Sequence, residues 1–159
     1  MASVYLGLGS NLENPFFQLQ SAVAQIEALP DITLLSCSQF YGSKPLGPND
    51  QPDFINAVCH IETQLSPQAL LSALQKIEIE QGRIKKRHWG ERLIDLDILL
   101  YADEIIRTAD LTIPHAEIAL RDFVLIPLAE ISPGQTIPGL GCVETLISNL
   151  ETSYLKPLD

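Results

Sequence analysis

Leu93-Ile94-Asp95-Leu96-Asp97-Ile98-Leu99-Leu100-Tyr101 is the stretch on which the reading of the fold turns. Acid and aliphatic residues alternate from Asp95 to Ile98 and run into an apolar end, the pattern of a β-strand with both carboxylates on one face. Upstream, Ser66 followed by Pro67 is a helix cap and first turn, Leu70, Leu71, Leu74 and Ile77 form an apolar stripe at helical spacing, and Gly82 is the expected terminator. Phe54 to Thr63 has strand character. Before it, Gly42 to Pro52 is an irregular loop in which Pro45, Gly47, Pro48 and Pro52 break any ladder. Ile32 to Tyr41 is β-prone, and Phe16, Leu19, Val23, Ile26 and Leu29 mark a helix opened by Pro15. Val4 to Leu8 is a first strand closed by Gly9, Ser10 and Asn11.

The order strand, helix, strand, strand, helix, strand predicts an α+β fold of the split βαβ kind, with two helices covering one face of an antiparallel sheet. Beyond it the sequence predicts a short edge strand at Leu111 to Ile113, a helical turn within His115 to Leu120 and an apolar run at Phe123 to Leu128. A wrapping C-terminal segment then carries a last helix around Val143 to Leu150. At 159 residues the chain is the size of one domain, expected to span 1–159.

The formal charge of −10 excludes a broad nucleic-acid footprint and electrostatic adhesion to an anionic membrane. Five of the ten basic side chains, Arg83, Lys85, Lys86, Arg87 and Arg92, nevertheless fall in one decade, which predicts a local anion site. No apolar run is long enough to cross a bilayer and no signal-peptide pattern is present, so the cytoplasm is the expected compartment. Cys37, Cys59 and Cys142 share no metal-ligand spacing, and Cys37 and Cys59 read as ordinary small hydrophobes in strands.

Two carboxylates in an otherwise apolar strand are costly unless a cation satisfies them, and magnesium, which bridges carboxylates to phosphates, is the natural candidate. The bland alternative is a solvated strand face. For the basic decade the alternative is a surface turn, and Trp89 either anchors that loop or packs on a nucleotide base. Within the decade, Arg83 and Arg92 offer rigid forks to phosphate oxygens. Phe54 and Phe123 could be plain core, or two rings that stack on a flat heteroaromatic ligand whose edge meets Asn56 and Ser43. Gly7 to Gly9 lacks the later glycine of a dinucleotide fingerprint, and no P-loop signature is present.

The ordered motifs F-Y-G-S-K-P-L-G-P-N-D-Q-P-D-F-I-N at Phe40 to Asn56, I-E-x-x-x-G-R at Ile77 to Arg83, R-x-x-D-L-D-I-x-L at Arg92 to Leu100, Pro114-His115 and R-x-F at Arg121 to Phe123 resemble the 6-hydroxymethyl-7,8-dihydropterin pyrophosphokinase family. The resemblance covers Val4 to about Pro133. It implies a ferredoxin-like core and a monomeric, ATP-dependent diphosphotransferase of folate biosynthesis. Such an enzyme moves the β,γ-diphosphate of ATP onto the pterin hydroxymethyl group. It also implies two magnesium ions on Asp95 and Asp97, and a pterin between Phe54 and Phe123 with Asn56, Ser43 and Leu46 at its edge. Gln75, Glu78, Arg83, Lys85, Trp89, Arg92, Ile98, Leu111, Thr112, His115 and Arg121 then match positions around ATP or its closing loop. Among these, Glu78 is expected at the ribose and Arg92 and His115 at the phosphates.

The chain departs from the pattern at Lys44, where proline is expected, and at Asp110, where a cation is expected. The rival readings are a non-catalytic pterin- or nucleotide-binding regulator, a protein-interaction domain, and a kinase moving a single phosphoryl group.

Overall fold

The computed structural model describes residues 1–45, 50–82 and 93–156. In chain order the elements begin β1 (Ala2–Ser10), α1 (Pro15–Glu27), β2 (Ile32–Cys37), β3 (Tyr41–Ser43), β4 (Phe54–Thr63), α2 (Pro67–Glu80) and β5 (Asp95–Tyr101). After them come β6 (Ile106–Arg107), β7 (Thr112–Ile113), a 3-10 turn (Ile118–Leu120), α3 (Asp122–Ile131), β8 (Thr136–Ile137), β9 (Gly141–Cys142), α4 (Val143–Ser148) and β10 (Leu155–Lys156).

Among the described residues one mixed α/β unit forms around an antiparallel sheet in the order β10-β3-β4-β1-β5, with β2 pairing the far end of β4. β2 and β3 therefore share one edge of β4. The expected single segment, Ile32 to Tyr41, is interrupted between them. At the opposite edge lies β5, the strand that carries the acid pair.

Local chemistry accounts for the helix ends. Ser66 Oγ accepts from the Ala69 N–H at 3.2 Å with Pro67 in the first turn, and α2 stops before Gly82, whose φ of 87° a Cβ would resist. Asn14 caps α1 in the same way, accepting from the Phe17 N–H at 3.4 Å.

Helices α1 and α2 lie on one face of the sheet, as the apolar stripes predict. Leu19, Ala22 and Ile26 of α1 and Leu70, Leu74 and Ile77 of α2 meet Val4, Leu6, Leu8, Ala57, Ile61, Leu96 and Ile98. The other face is also covered. There Val124, Leu125 and Leu128 of α3 and Val143 of α4 pack on Tyr5, Val58, Leu99 and Leu100. Being central with both faces covered, β1 is buried from Val4 to Ser10, which explains a run too apolar to alternate.

Cys37 and Cys59, read as separate small hydrophobes, stand opposite one another in the β2–β4 register and are joined as a disulfide, while Cys142 is free. Their 22-residue separation in sequence hid a pairing that only strand register creates.

Candidate active site

Strand register brings the chemistry together. Gly9 is flanked across the sheet by Asn56 of β4 and Asp95 of β5, and Gly7 by Val58 and Asp97, so both rows face the α3 side. The two glycines form the floor of a cleft of about 720 Å³, counted out to open solvent. A Cβ built on Gly9 would lie 3.0 Å from Asn56 Oδ1, and one on Gly7 would lie 3.2 Å from Leu99. The walls are Ser43, Lys44, Phe54, Asn56, Arg121 and Phe123, with Asp95 and Asp97 at one end. Asn56 and Ser43 are buried, and Asn56 Nδ2 donates to Ser43 Oγ at 2.6 Å, which fixes the amide's orientation.

A second cleft opens on the α2 side of the β5 edge. It is lined by Leu71, Leu96, Asp97, Ile98, Asp110, Leu111, Thr112, His115 and Ala116. Asp97 lines both clefts.

His115 is placed by its backbone, whose N–H donates to Leu99 O at 3.1 Å and splices the segment after β7 onto β5. Its Nδ1 accepts from the Glu117 N–H at 3.3 Å, so a neutral ring carries its proton on Nε2, which lies 3.9 Å from Asp97 Oδ2. Burial pushes the imidazole below the ordinary 6.5, a fall that Asp97 partly offsets and Arg121 reinforces. The ring is neutral at pH 7. The folded value lies under the unfolded one, so this histidine's contribution to stability is present above pH 6.5 and is lost as pH falls through the folded value. An NMR titration is expected to place the His115 midpoint below that of free histidine. Asp97→Asn, which removes the main influence raising it, should lower it further; a rise in the variant would contradict the geometry.

Arg121 bonds Glu117 Oε2 through Nη2 at 2.5 Å and lies 5.7 Å from the centroid of the Phe123 ring. Its buried Nε has no hydrogen-bond partner among the described residues. It lines the first cleft.

Of the residues expected around a nucleotide, Ile98, Leu111, Thr112 and His115 line the second cleft together. Gln75 is exposed on α2 and lies outside both clefts. Glu78, expected at a ribose, is buried and its Oε2 accepts from the Leu96 N–H at 2.8 Å, tying β5 to α2. Leu46, Arg83, Lys85, Trp89 and Arg92 lie outside the described residues. The sequence reading missed Gly7 and Gly9 as floor residues, although glycine at two alternate positions of an apolar strand is a usable sign of a face kept open for a ligand. It also assigned no role to Tyr154 or Asp122, for which the sequence carries no signal.

Two clefts that share a carboxylate at one strand edge suit a small α/β protein that brings two ligands together. The comparisons specify it further. Residues 5–133 match the model of the 7,8-dihydro-6-hydroxymethylpterin-pyrophosphokinase family, and the chain belongs to that family. It is 51% identical over 147 residues to the 2-amino-4-hydroxy-6-hydroxymethyldihydropteridine pyrophosphokinase of Haemophilus influenzae, covering 92% of each chain. With the Pseudomonas aeruginosa enzyme of the same name it shares 47% identity over 135 residues, covering 85% of this chain and 83% of that one. The fold is also that of the Plasmodium falciparum HPPK-DHPS wild type with pteroate, at a TM-score of 0.75 and 14% identity. That match covers 92% of this chain but only 42% of the larger parasite protein.

Proposed function

We propose that the two clefts divide the family's reaction between them, pterin in the first and ATP in the second, with Asp97 at the seam. The activity is that of the family: transfer of pyrophosphate from ATP to hydroxymethylpterin in folate biosynthesis. The observation that carries the division is that one carboxylate lines both spaces.

In the first cleft Phe54 and Phe123 stack on the pterin, and the glycine floor leaves room for its ring. Asn56, oriented by Ser43, offers a carbonyl and an amide N–H to the ring's hydrogen-bonding edge. Leu46 completes that edge. In the second, Ile98, Leu111 and Thr112 hold the nucleotide, and Gln75 and Glu78 of α2, which do not line the cleft itself, flank it on the ribose side. Neutral His115 presents Nε2–H to a phosphate oxygen while Arg121 donates from the pterin side, and Arg83, Lys85, Trp89 and Arg92 act with them around the triphosphate.

The pterin hydroxymethyl oxygen attacks the β-phosphorus, the bond to the α-phosphate oxygen breaks and AMP leaves. The hydroxyl proton passes to solvent water, and the protein's part is to align the attack and neutralise developing charge.

Magnesium fits this site. Asp95 and Asp97 are two apart on one face of β5, half-buried at the junction of the clefts. No group of three or more protein ligands occurs among the described residues. An ion that prefers oxygen, retains waters and takes phosphates needs no fuller protein cage. We assign two ions to this pair; when bound, they supply charge neutralisation to the phosphate oxygens.

The order β5-β1-β4-β2, with α1 and α2 as the crossovers, supports a ferredoxin-like βαββαβ core. We read residues 1–159 as one domain, because its sheet draws strands from both ends of the chain. No helix among the described residues is long and apolar enough to cross a membrane. We place the enzyme as a monomer in the cytoplasm, where its Cys37–Cys59 pair would be reduced.

The test is product analysis after incubation with magnesium, ATP and 6-hydroxymethyl-7,8-dihydropterin. AMP and pterin diphosphate in equal amounts are expected. ADP with a pterin monophosphate would overturn the reaction, and binding without turnover would favour a regulator.

A further inference from the structure

We propose that Tyr154, held by the buried carboxylate of Asp122, is a positioning residue that braces the pterin-side wall of the cleft; this rests on Phe123 being a stacking face for the pterin. The family match ends at residue 133, so the segment carrying Tyr154 lies beyond it. That segment is nonetheless fastened to the site. Asp122, only 3% exposed at the start of α3, accepts from Ser153 Oγ at 2.9 Å, from the Tyr154 N–H at 3.0 and 3.1 Å and from the Leu155 N–H at 3.3 Å. Four contacts converge on one buried carboxylate from three successive residues. The carboxylate thus sets the path of the chain at that point.

The path places Tyr154 against two walls of the cleft at once. Its ring meets that of Phe123 edge to face, with centroids 6.0 Å apart and planes at 89°. Its carbonyl accepts from the Lys44 N–H at 2.8 Å, and the Lys44 ammonium lies 5.5 Å from its ring centroid. The next residue, Leu155, pairs with Ser43, the partner of Asn56, and Lys156 bonds Asp53 at 3.0 Å beside Phe54. Four of the six wall residues, Phe123, Lys44, Ser43 and Phe54 at the strand start, are therefore touched or flanked by Tyr154 to Lys156.

A stacking ring is useful only when its plane is held, since a ring free to tilt must be ordered each time ligand binds. Phe123 is already 91% covered, and its edge-to-face neighbour restricts the tilt that remains. Among the described residues the Tyr154 hydroxyl makes no hydrogen bond, so the brace acts through the ring.

The experiment measures Kd and KM for the pterin and for ATP in Tyr154→Ala, Tyr154→Phe and Phe123→Ala, with thermal midpoints. Tyr154→Ala is expected to raise pterin Kd and KM about tenfold while ATP values stay within about twofold, and Tyr154→Phe to restore the pterin values. Pterin affinity within about twofold of wild type in Tyr154→Ala, or equal losses for both substrates, would overturn the brace. If Phe123→Ala itself binds pterin normally, the stacking assignment fails and the brace with it. If Phe123→Ala loses pterin and Tyr154→Ala does not, the brace alone is wrong.

Discussion

Asp97→Ala is expected to lower kcat by at least about a thousandfold, roughly 4 kcal/mol of barrier, while pterin affinity by fluorescence titration changes little. The two halves of that expectation have separate origins. Asp97 lines both clefts from the β5 edge, and in the proposed arrangement its loss removes a ligand of the magnesium that would neutralise the triphosphate. The pterin, in the proposed arrangement, is held elsewhere, by Phe54, Phe123 and the Asn56–Ser43 pair. Stopped-flow measurement of one turnover separates chemistry from product release. Turnover within about tenfold of wild type would remove Asp97 from the reacting centre.

Gly9→Val is expected to raise the pterin Kd about a hundredfold, close to 2.7 kcal/mol, and to leave ATP binding unchanged. Valine suits a strand, and the backbone of Gly9 has no positive φ to forbid it. The cost lies in space. The first carbon of the new side chain would stand 3.0 Å from Asn56 Oδ1 and 3.8 Å from Phe54, so its methyls fill the floor and displace the amide proposed to orient the pterin. Isothermal titration with each substrate reads both arms. Equal losses for pterin and ATP would mean that the sheet, rather than the cleft, had been disturbed.

How far the site was legible depended on whether its residues owed their positions to local pattern. Asp95 and Asp97 could be read because strand alternation alone puts them on one side, and Ser66-Pro67 because capping is a local exchange of hydrogen bonds. Phe54 and Phe123 could be paired only through the family resemblance, since they are 69 positions apart and come from β4 and α3. Glu78 has a structural tie that the resemblance did not announce. Its carboxylate bonds the backbone of β5, a tie between α2 and the next strand that no spacing announces. Cys37 and Cys59 were missed for the same physical reason as Tyr154: strand register and the returning C-terminal segment create neighbours that are remote in the chain. The second helical face, α3 with α4, was foreseen only as apolar runs, because nothing local tells which side of a sheet such a run will cover.

The middle position of β1 also governs the order in which the protein can assemble. Its partners are β4, which ends at Thr63, and β5, which ends at Tyr101, so Val4 faces Ile61 on one side and Tyr101 on the other. During synthesis β1, buried without a break from Val4 to Ser10, emerges before both of its partners and stays without one flank until about a hundred residues have followed. Contacts closed over such distances slow the search for the native state, placing refolding in the slower part of the range for mixed domains. For that interval the nascent chain depends on chaperones or on rapid closure of the α1 face to keep β1 from pairing with a neighbouring molecule.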